Sequence, residues 1–358
     1  MNASPRVDLN DVSSFPSRRV EDWKYTDLRR HLREVPASAS VFPVEPHSGP
    51  FGALGVHEDV FANGHWLLQL AADPAAHDGN RINIVGRKEG PDRPRSPFLS
   101  ALRFVSSGDR GWQASVGFTV GPRDHAILLE SYEGQGAYVG NAALNIAVME
   151  GGRLDRIVVA DDSAEALTIS HADITLSDGA VLNQTVISTG AKLQRLETRV
   201  AHPGDAQVRL DGLYLLSGAR HADLTSVVDH LGPNGQTSQL TKGVVRDTAR
   251  GVFQGKIIVE RGADGTDARM GHHALILGER AEIDAKPELE IYADDVQCAH
   301  GNTVGNLDES ALFYMQQRGI PADAARALLT QAFLIEVVDR IEHEGAREVV
   351  REWLTARL

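Results

Sequence analysis

The chain has 358 residues, 42% of them hydrophobic and 24% charged, which is the composition of an ordinary soluble protein with a sizeable core. Its formal net charge of -13 argues against a nucleic-acid surface, because neutralising phosphates requires clustered lysine and arginine. The single cysteine excludes an internal disulfide and fits a reducing cytosol. No apolar run approaches the roughly 18 residues of a membrane span, and residues 1–11 contain no signal-peptide core. We therefore predict a cytoplasmic protein that binds neither nucleic acid nor membrane.

Residues 1–110 are predicted to form a mixed, partly helical N-terminal region. Residues 17–30 carry acidic side chains before basic ones, in agreement with the dipole of a short helix. Trp23 and Tyr25, which lie within them, are expected to pack against the main body. Short apolar pieces separated by glycine and proline follow. They predict strands at residues 65–70 and 81–85, a charged proline-rich loop at 87–97 and a short helix at 97–105.

Residues 111–305 are predicted to form an all-β core. No amphipathic helix of normal length interrupts residues 125–305, which excludes a βαβ architecture. Turn signals such as Ser177-Asp178-Gly179 and Pro233-Asn234-Gly235 separate short apolar or alternating runs. The predicted strands are 126–129, 144–149, 156–159, 167–174, 181–187, 208–216, 224–228, 241–245 and 255–259.

Two all-β solutions remain open for this core, a sandwich and a solenoid. Turn-then-strand phrases recur loosely, as in residues 151–154, 177–182 and 278–283. Such weak repetition, with small residues at the corners, favours a β-helix whose coils stack about 4.8 Å apart. Because the terminal edges of a solenoid must be capped or paired, we expect a partner to bind at the end of the β region.

The most informative stretch is residues 286–305, which contains the only cysteine of the chain. Its first part alternates polar and apolar side chains, the pattern of a strand with two unlike faces. If this strand continues past Val296, Cys298 and His300 project from the same face because they are two residues apart. A thiolate and an imidazole presented together suit iron, copper or zinc. Two ligands do not fill a coordination sphere, so further ligands must come from elsewhere.

The neighbouring polar residues also have structural interpretations. A lone cysteine is commonly an inert core residue. A thiol becomes reactive when cationic surroundings lower its pKa, an effect that His300 can provide and that Asp294 and Asp295 would oppose. We interpret the two aspartates as turn formers. His272 and His273 are adjacent, so at most one of them can share the face of the cysteine, and we interpret both as structural or surface residues.

Residues 306–358 are predicted to form a small helical domain. Residues 307–318 and 324–341 carry apolar side chains at helical spacing, and a last helix contains Val349 and Trp353. Core packing explains much of this apolar stripe. The stripe nevertheless exceeds what so small a bundle needs, which makes it a candidate docking face for a partner.

Three blocks of the chain resemble the SufB/SufD family of iron–sulfur cluster assembly proteins, and the similarity is strongest to the SufD branch. The blocks are EDWKYTDL at residues 21–28, KPELEIYADDV followed by Cys298 and His300 at residues 286–300, and the run from TVG to RGI at residues 303–320. Between residues 35 and 270 the resemblance is one of architecture only.

The resemblance implies a mainly β fold, with a right-handed parallel β-helix at residues 111–305 and helical regions at 1–110 and 306–358. It also implies a heterocomplex. In that complex the chain pairs with a SufB-like subunit along the β-helix edge and with a SufC-type ATPase through its C-terminal helices. A homodimer through the same edge is the expected alternative when the SufB-like subunit is absent. Because the chain has no Walker A sequence, ATP would act only through the partner ATPase.

The resemblance further implies that Cys298 and His300 lie at the pairing interface. The histidine is expected to be a metal ligand for iron or for a transient iron–sulfur cluster, and the cysteine is a candidate second ligand. Since such clusters are usually held by four ligands, mostly thiolates, the others would come from the partner. The chain would then be a non-enzymatic scaffold without catalytic residues.

Two other functions remain open at this point. One is a stand-alone β-helix that serves only as a structural platform, with an incidental Cys298 and His300 pair. The other is a polysaccharide-acting enzyme, a common occupant of this fold. Such an enzyme needs converging carboxylates and is usually secreted, and neither feature is visible in the sequence.

Overall fold

The computed structural model describes residues 6–67, 81–85 and 97–358. The predicted loop at 87–97 lies outside these residues except for Pro97, and the last three residues of the predicted strand at 65–70 lie outside them as well. The described part of the chain is mainly β, with helices concentrated near its C-terminal end.

The strands, in chain order, are β1 (His57–Ala62), β2 (His65–Trp66), β3 (Arg81–Val85), β4 (Phe98–Ser107), β5 (Gly111–Val120), β6 (His125–Gln135), β7 (Val139–Val148), β8 (Arg153–Asp161), β9 (Leu167–Leu176), β10 (Val181–Ser188), β11 (Leu193–His202), β12 (Gln207–Leu216), β13 (His221–His230), β14 (Gln236–Val245), β15 (Arg250–Val259), β16 (Asp267–Ile276), β17 (Glu282–Ile291) and β18 (Gln297–Gly305). The helices are α1 (Leu28–His31), α2 (Glu309–Gln317), α3 (Ala322–Val338) and α4 (Glu344–Thr355). Short 3₁₀ turns lie at Val12–Ser14, Glu21–Trp23 and Gly52–Leu54.

Consecutive strands from β4 onward alternate between two sheets. Among the described strands, ten form one sheet in the order β18-β16-β14-β12-β10-β8-β6-β4-β1-β2, and eight form the other in the order β17-β15-β13-β11-β9-β7-β5-β3. Neighbours are parallel, apart from β1 and β2. The prediction of a parallel β-helix is therefore confirmed. The sandwich is wrong, because strands that pair are one coil apart rather than joined by a hairpin.

Successive coils repeat the same corner and the same register. Asn183 lies 28 residues after Asp155, and its side-chain amide donates to the Asp155 carboxylate at 2.7 Å. At one corner Gly151 and Gly179 have φ of 62° and 65°, a left-handed conformation that glycine adopts without strain. The backbone N–H of Gly151 donates to the Asp178 carbonyl of the next coil at 3.0 Å. The turn signals of the sequence thus become the stacked corners of the solenoid.

The main core lies inside the solenoid, because each strand points alternate side chains inward between the two sheets. Near the N-terminal end Phe104 stacks on Phe61 and on Tyr132, with ring centroids 4.8 Å apart in both pairs. Trp112, from the opposite sheet, lies 5.9 Å from Phe104. Aromatic and branched side chains on stacked strands therefore fill the interior from both sheets.

The ladder begins at β1, well before the predicted core boundary at residue 111, and the predicted helix at 97–105 is wrong. This segment is strand β4. Its residues Leu102 and Phe104 point into the solenoid, whereas Ala101 joins a cluster on the outer face. Because both faces of β4 are covered, the segment is a continuous apolar run, and such a run does not show whether it is a strand or a buried helix.

The N-terminal segment at residues 17–30 is not one helix but the 3₁₀ turn Glu21–Trp23 followed by the short α1. Trp23 is buried, and the Cζ atom of Arg195 lies 4.4 Å from the centroid of its ring. Arg195 is itself fully buried and bonds Asp223 at 2.6 Å. This tertiary contact, rather than helix propensity, sets the shape of the segment. The prediction that Trp23 packs against the main body is confirmed.

Helices α3 and α4 pack on the outer face of the ten-stranded sheet. Their buried residues form one cluster with outward side chains of β8, β12 and β14. The helix residues in this cluster include Leu334, Val337, Val338, Val350 and Leu354. Each fully buried aliphatic side chain contributes about 1.5–3 kcal/mol, so packing on the sheet explains most of the apolar stripe. Phe313, Tyr314 and Leu328 remain exposed on α2 and α3. No helix within the described ranges is long and apolar enough to cross a membrane.

The interior also holds polar side chains that satisfy one another. The buried guanidinium of Arg156 bonds Glu130 at 2.6 Å and donates to the Gln184 side-chain oxygen at 2.7 Å. Gln184 in turn donates to Thr198 across the solenoid at 3.0 Å, and Tyr132 donates to Glu130. Buried polar groups are tolerated when each has a partner, and this network meets that condition.

One buried histidine pair does not meet it. His202 and His230 are fully buried, with ring centroids 4.4 Å apart. His230 Nε2 bonds Thr237 at 2.9 Å, but neither ring nitrogen of His202 has a partner in the described part of the chain. Burial lowers the pKa of His202 to about 4 and that of His230 to about 3, the latter with a contribution from His202. Both imidazoles are therefore neutral at pH 7.

The substitution His202→Leu is expected to reduce the loss of stability at acid pH. The imidazole has an unfolded pKa of about 6.5 and a folded pKa of about 4. Its neutral form therefore supports the fold fully above pH 6.5, and that contribution is lost as the pH falls towards 4. At pH 5.0 the loss from His202 amounts to about 2 kcal/mol. Urea unfolding at pH 7.5 and pH 5.0 would measure the free energy of unfolding of both proteins. Between these pH values wild type should lose about 2 kcal/mol more than the variant.

At pH 7.5 the leucine variant should be at least as stable as wild type, because it removes two unpaired nitrogens from the interior. Equal losses of unfolding free energy in both proteins between the two pH values would contradict the assignment of His202 as a buried neutral group.

Candidate metal-binding edge of the solenoid

The stretch at residues 286–305 is two strands rather than one. Strand β17 ends at Ile291, the chain bends at residues 292–296, and β18 begins at Gln297 in the opposite sheet. The expectation of one strand continuing past Val296 is therefore wrong. Asp294 and Asp295 lie in the bend, where the Asp295 carbonyl accepts from the Gly265 backbone N–H at 2.7 Å. They close the last corner of the solenoid, in agreement with their interpretation as turn formers.

Cys298 and His300 nevertheless project from one face, because both lie within β18. In the parallel register Cys298 is opposite Ala268 and His300 is opposite Met270, and these two residues of β16 are buried in the core. The row that faces inward on β16 therefore continues on β18. Gly301 does not end the strand, which extends to Gly305.

The strand β18 is the terminal edge of the ten-stranded sheet, and β17 is the terminal edge of the other. No further coil covers them in the described chain, so most of β18 is exposed, including His300. Cys298 is half-buried because its side chain packs against the last core residues. A thiol and an imidazole thus stand side by side on the inward row, at the end where the core is open.

The electrostatics of Cys298 differ from the expectation. Burial raises the pKa of the Cys298 thiol, a hydrogen bond from the Ala268 backbone N–H acts in the opposite direction, and the Asp267 carboxylate raises the pKa further. The acid that acts on the thiol is therefore Asp267 on the neighbouring strand, not Asp294 or Asp295. In the isolated chain Cys298 is a protonated thiol, and a bound metal cation would be needed to favour the thiolate.

The pair does not complete a metal site by itself. Across residues 6–67, 81–85 and 97–358, no group of three or more histidine, cysteine, aspartate or glutamate side chains has the geometry to hold a metal ion. A metal bound by Cys298 and His300 would need additional ligands from beyond the described residues, because two side chains do not fill a coordination sphere.

His272 and His273 lie on opposite faces of β16, as strand geometry predicts. His273 Nδ1 bonds the Thr303 hydroxyl at 2.7 Å. His272 is fully buried on the inward row, where its Nδ1 lies 2.7 Å from Asn302 Oδ1 and its Nε2 lies 2.9 Å from the Tyr214 hydroxyl. Burial lowers the pKa of His272 to about 4, against the opposing effect of its hydrogen bond to Asn302. The imidazole is therefore neutral at pH 7.

The surroundings of His272 are closely packed. Its ring stacks on Phe253 with centroids 4.7 Å apart and an interplanar angle of 4°. Tyr214 occupies space left by two glycines: a Cβ on Gly243 would overlap its ring, and one on Gly251 would lie 2.5 Å from its Cε2 atom. The hydroxyl of Tyr214 is thereby held against His272.

Sequence reasoning did not single out Asn302 or Tyr214. Asn302 lies two residues after His300, so the rule that groups Cys298 with His300 also includes it. Tyr214 has no comparable local signal, because it is 58 residues from His272 in the chain. Its position depends on the stacking of β12 two strands away from β16 in the sheet.

Together these features define a class of protein: a parallel β-solenoid whose last strand has one unpaired edge and carries a thiol and an imidazole, side-chain types that can bind a metal. Residues 104–333 match the family model for the SufBD core domain of the SUF system of FeS cluster assembly. The chain is 27% identical to the iron–sulfur cluster assembly protein SufD of Escherichia coli, over 97% of this chain and 90% of that protein. It is 31% identical to a SufBD family iron–sulfur cluster assembly protein of Synechocystis, over 98% and 89%. A SufBD family protein of Mycobacterium leprae is 26% identical over 94% and 90%.

The chain belongs to the SufB/SufD family, and within it to the SufD branch. The family model covers most of the solenoid and reaches into α3. The resemblance carried by residues 21–28, 286–300 and 303–320 is thus confirmed over nearly the whole chain.

The substitution Gly243→Ala is expected to destabilise the end of the solenoid, because the new methyl group would overlap the buried ring of Tyr214. Overpacking of this kind typically costs about 1–3 kcal/mol. Gly271→Ala is the matched control, since its Cβ would meet only ordinary contacts at 3.5 Å or more. Thermal and urea unfolding should give a lower free energy of unfolding for Gly243→Ala alone. Equal stability of the two variants would contradict the packing of Tyr214 described here.

Proposed function

We propose that this chain is a non-enzymatic, cytoplasmic scaffold subunit of the SUF system of iron–sulfur cluster assembly. The observation that carries the proposal is the exposed edge of the terminal strand β18, which presents Cys298 and His300 from one face, without further ligands for a metal among the described residues. Membership of the SufB/SufD family, and the role of the relatives in iron–sulfur cluster assembly, support it.

A SufB-like subunit is the proposed partner at this edge. The terminal strands leave unpaired backbone N–H and C=O groups, which a strand or edge of another chain can satisfy. Ile291, Tyr292 and Val304 are large apolar side chains exposed near the same edge, and apolar and aromatic residues are typical of the centre of an interface. A second copy of this chain could occupy the edge when the SufB-like subunit is absent.

The iron–sulfur cluster, or the iron that enters it, would be cargo held between the two subunits. His300 would supply a neutral nitrogen ligand, and the remaining ligands would be thiolates or other groups of the partner. Cys298 would join them as a thiolate, with its proton released to solvent as the cation binds, because metal binding and thiol deprotonation are coupled. On this proposal His300 contributes to cluster building and to iron acquisition.

A SufC-type ATPase is the proposed partner of the C-terminal helices, and ATP would act only through it. Phe313, Tyr314 and Leu328 are exposed on α2 and α3, away from the cluster that packs on the sheet. They are the part of the apolar stripe that packing on the solenoid leaves uncovered, which supports a docking face there.

The substitution His300→Ala is expected to leave the complex intact and to lower cluster assembly at least about tenfold. Losing a group that only orients a metal ligand typically costs about this much, and losing the ligand itself should cost no less. The chain would be co-expressed with the SufB-like and SufC-type proteins of its organism and purified under anaerobic conditions. Size-exclusion chromatography would report the complex, and visible absorption after reconstitution would report the cluster. His273→Ala is the matched control, since His273 faces away from the row.

Two outcomes would contradict this part of the proposal. Normal cluster assembly with His300→Ala would reject the ligand role and favour a structural platform. Failure of the wild-type chain to form a complex under any nucleotide condition would reject the scaffold role altogether.

The substitution Phe313→Asp is expected to raise the Kd for the ATPase subunit at least about tenfold, since a central aromatic contact is often worth more than 1 kcal/mol. Pairing with the SufB-like subunit should be unchanged. Leu231→Asp provides a matched control, because Leu231 is also an exposed apolar residue but lies at a corner of the solenoid. Isothermal titration with the purified ATPase would measure both. Loss of ATPase binding in the control as well, or in neither variant, would contradict docking through the helices.

A further inference from the structure

The hydrogen-bond chain Tyr214–His272–Asn302 has only one arrangement that satisfies all of its buried donors. Oδ1 of Asn302 faces His272 Nδ1 at 2.7 Å, and a carbonyl oxygen can only accept, so Nδ1 must carry the proton. A neutral imidazole with a proton on Nδ1 has a lone pair on Nε2. The Tyr214 hydroxyl, 2.9 Å from Nε2, must then donate to it.

The reverse arrangement is less favourable. With the asparagine amide turned over, the NH₂ group would donate to Nδ1 and His272 would donate from Nε2 to Tyr214. The hydroxyl proton of the fully buried Tyr214 would then have no acceptor, since His272 is the one partner of this hydroxyl in the described part of the chain. A buried donor without an acceptor is unfavourable, because it has lost its hydrogen bond to water and gained none in the protein. The buried tyrosine therefore fixes the tautomer of His272, and His272 fixes the orientation of the Asn302 amide.

The consequence appears at the open end of the solenoid. With its oxygen turned inward to His272, Asn302 must present its NH₂ group on the exposed side. This group has no acceptor among the described residues, and Asn302 shares the inward row of β18 with Cys298 and His300. Two oriented N–H donors therefore stand next to the proposed ligands, held there by a chain that reaches into the core.

We infer that Asn302 is a third functional residue of this row and that its NH₂ group donates hydrogen bonds to anionic sulfur, either a cluster sulfide or a partner thiolate, held beside His300. Tyr214 and His272 are the positioning residues for this amide. The inference rests on the proposed function of the edge, which it extends with a binding group for the sulfur of the cargo.

The chemistry of the site supports a neutral donor here. The chain carries a net charge of -13, and Asp267 lies on the neighbouring strand, next to the residue opposite Cys298, so the chain's own field is unfavourable to sulfide and thiolate. Hydrogen bonds to sulfur stabilise its negative charge and raise the reduction potential of a cluster. An amide supplies such bonds without competing with His300 for the metal. An amine or a second imidazole would compete with it.

The substitution Asn302→Asp tests this directly, because it keeps the shape and the oxygen that accepts from His272 but replaces both N–H donors with a second acceptor. In the complex with the SufB-like and SufC-type subunits, we expect normal assembly of the three proteins. We expect at least a tenfold loss of cluster yield, or a reduction potential lower than that of wild type where a cluster still forms. Asn302→Ala should show the same direction of change with a smaller loss, since it removes the donors without adding a charge.

Thr303→Val is the matched control. It removes a hydrogen bond of the same 2.7 Å length, between the next histidine and the next residue of β18, but on the opposite face. The control should have the cluster yield and reduction potential of wild type. If Thr303→Val and Asn302→Asp change the cluster equally, the effect belongs to the stability of β18 and the inference is overturned.

The positioning role has its own readouts. In the isolated chain, nitrogen-15 NMR of the histidine side chains should show His272 with its proton on Nδ1, and the opposite tautomer would overturn the inference. Tyr214→Phe should allow the His272 proton to occupy either ring nitrogen and should lower the cluster yield in the complex. It should have no further effect in an Asn302→Ala background, because the two residues act through one chain. Additive losses would overturn the positioning role.

Failure of this inference can be told apart from failure of the proposed function. If the wild-type complex builds a cluster and His300→Ala abolishes it while Asn302→Asp does not, the scaffold role stands and the role of Asn302 is rejected. If the wild-type complex builds no cluster, both are rejected.

Discussion

The structure depends on one constraint, the register in which each coil of the solenoid is hydrogen-bonded to the coil before it. Side chains on a strand alternate between two faces, so a shift of one residue would turn every inward side chain outward. Phe104 over Phe61, and Arg156 next to Glu130, are possible only in the register observed. The same ladder carries the inward row of β16 onto β18, and it therefore sets which side chains of the last strand face the open end.

A ladder of this kind has to end, and the segments that flank the solenoid in the chain cover its outer faces. The C-terminal helices α3 and α4 cover the outer face of the ten-stranded sheet and leave the edge of β18 uncovered. The N-terminal segment is held on the outside of the other sheet by the contact of Trp23 with Arg195. Cys298, His300 and Asn302 thus lie where the backbone hydrogen bonds of the fold are themselves unsatisfied. A partner that completes the ladder would also bring its own groups to these side chains.

The sequence predicts much of this arrangement, because corners and short-range alternation are local properties. Ser177-Asp178-Gly179 marks a corner, and the spacing of Cys298 and His300 places them on one face. Local patterns could not reveal that β4 is a strand, since both of its faces are buried and its alternation is lost. They could not show that the chain changes sheets between Ile291 and Gln297. The contact of Tyr214 with His272 depends on coils 58 residues apart, a relation that only the stacked register creates.

The buried histidines show why the interior near the open end bears on function. His202 and His272 have the same side chain in the same solenoid interior, and burial lowers the pKa of both to about 4. His202 has no hydrogen-bond partner among the described residues, so its burial costs stability because its lost hydration is not replaced. His272 has one partner on each ring nitrogen, in Tyr214 and Asn302. A polar residue that is fully satisfied in the core specifies one arrangement of its neighbours, and here one of those neighbours stands on the last strand. The last strand is consequently tied to the core by the Asn302 side chain as well as by its backbone, and the orientation of this amide does not depend on a partner.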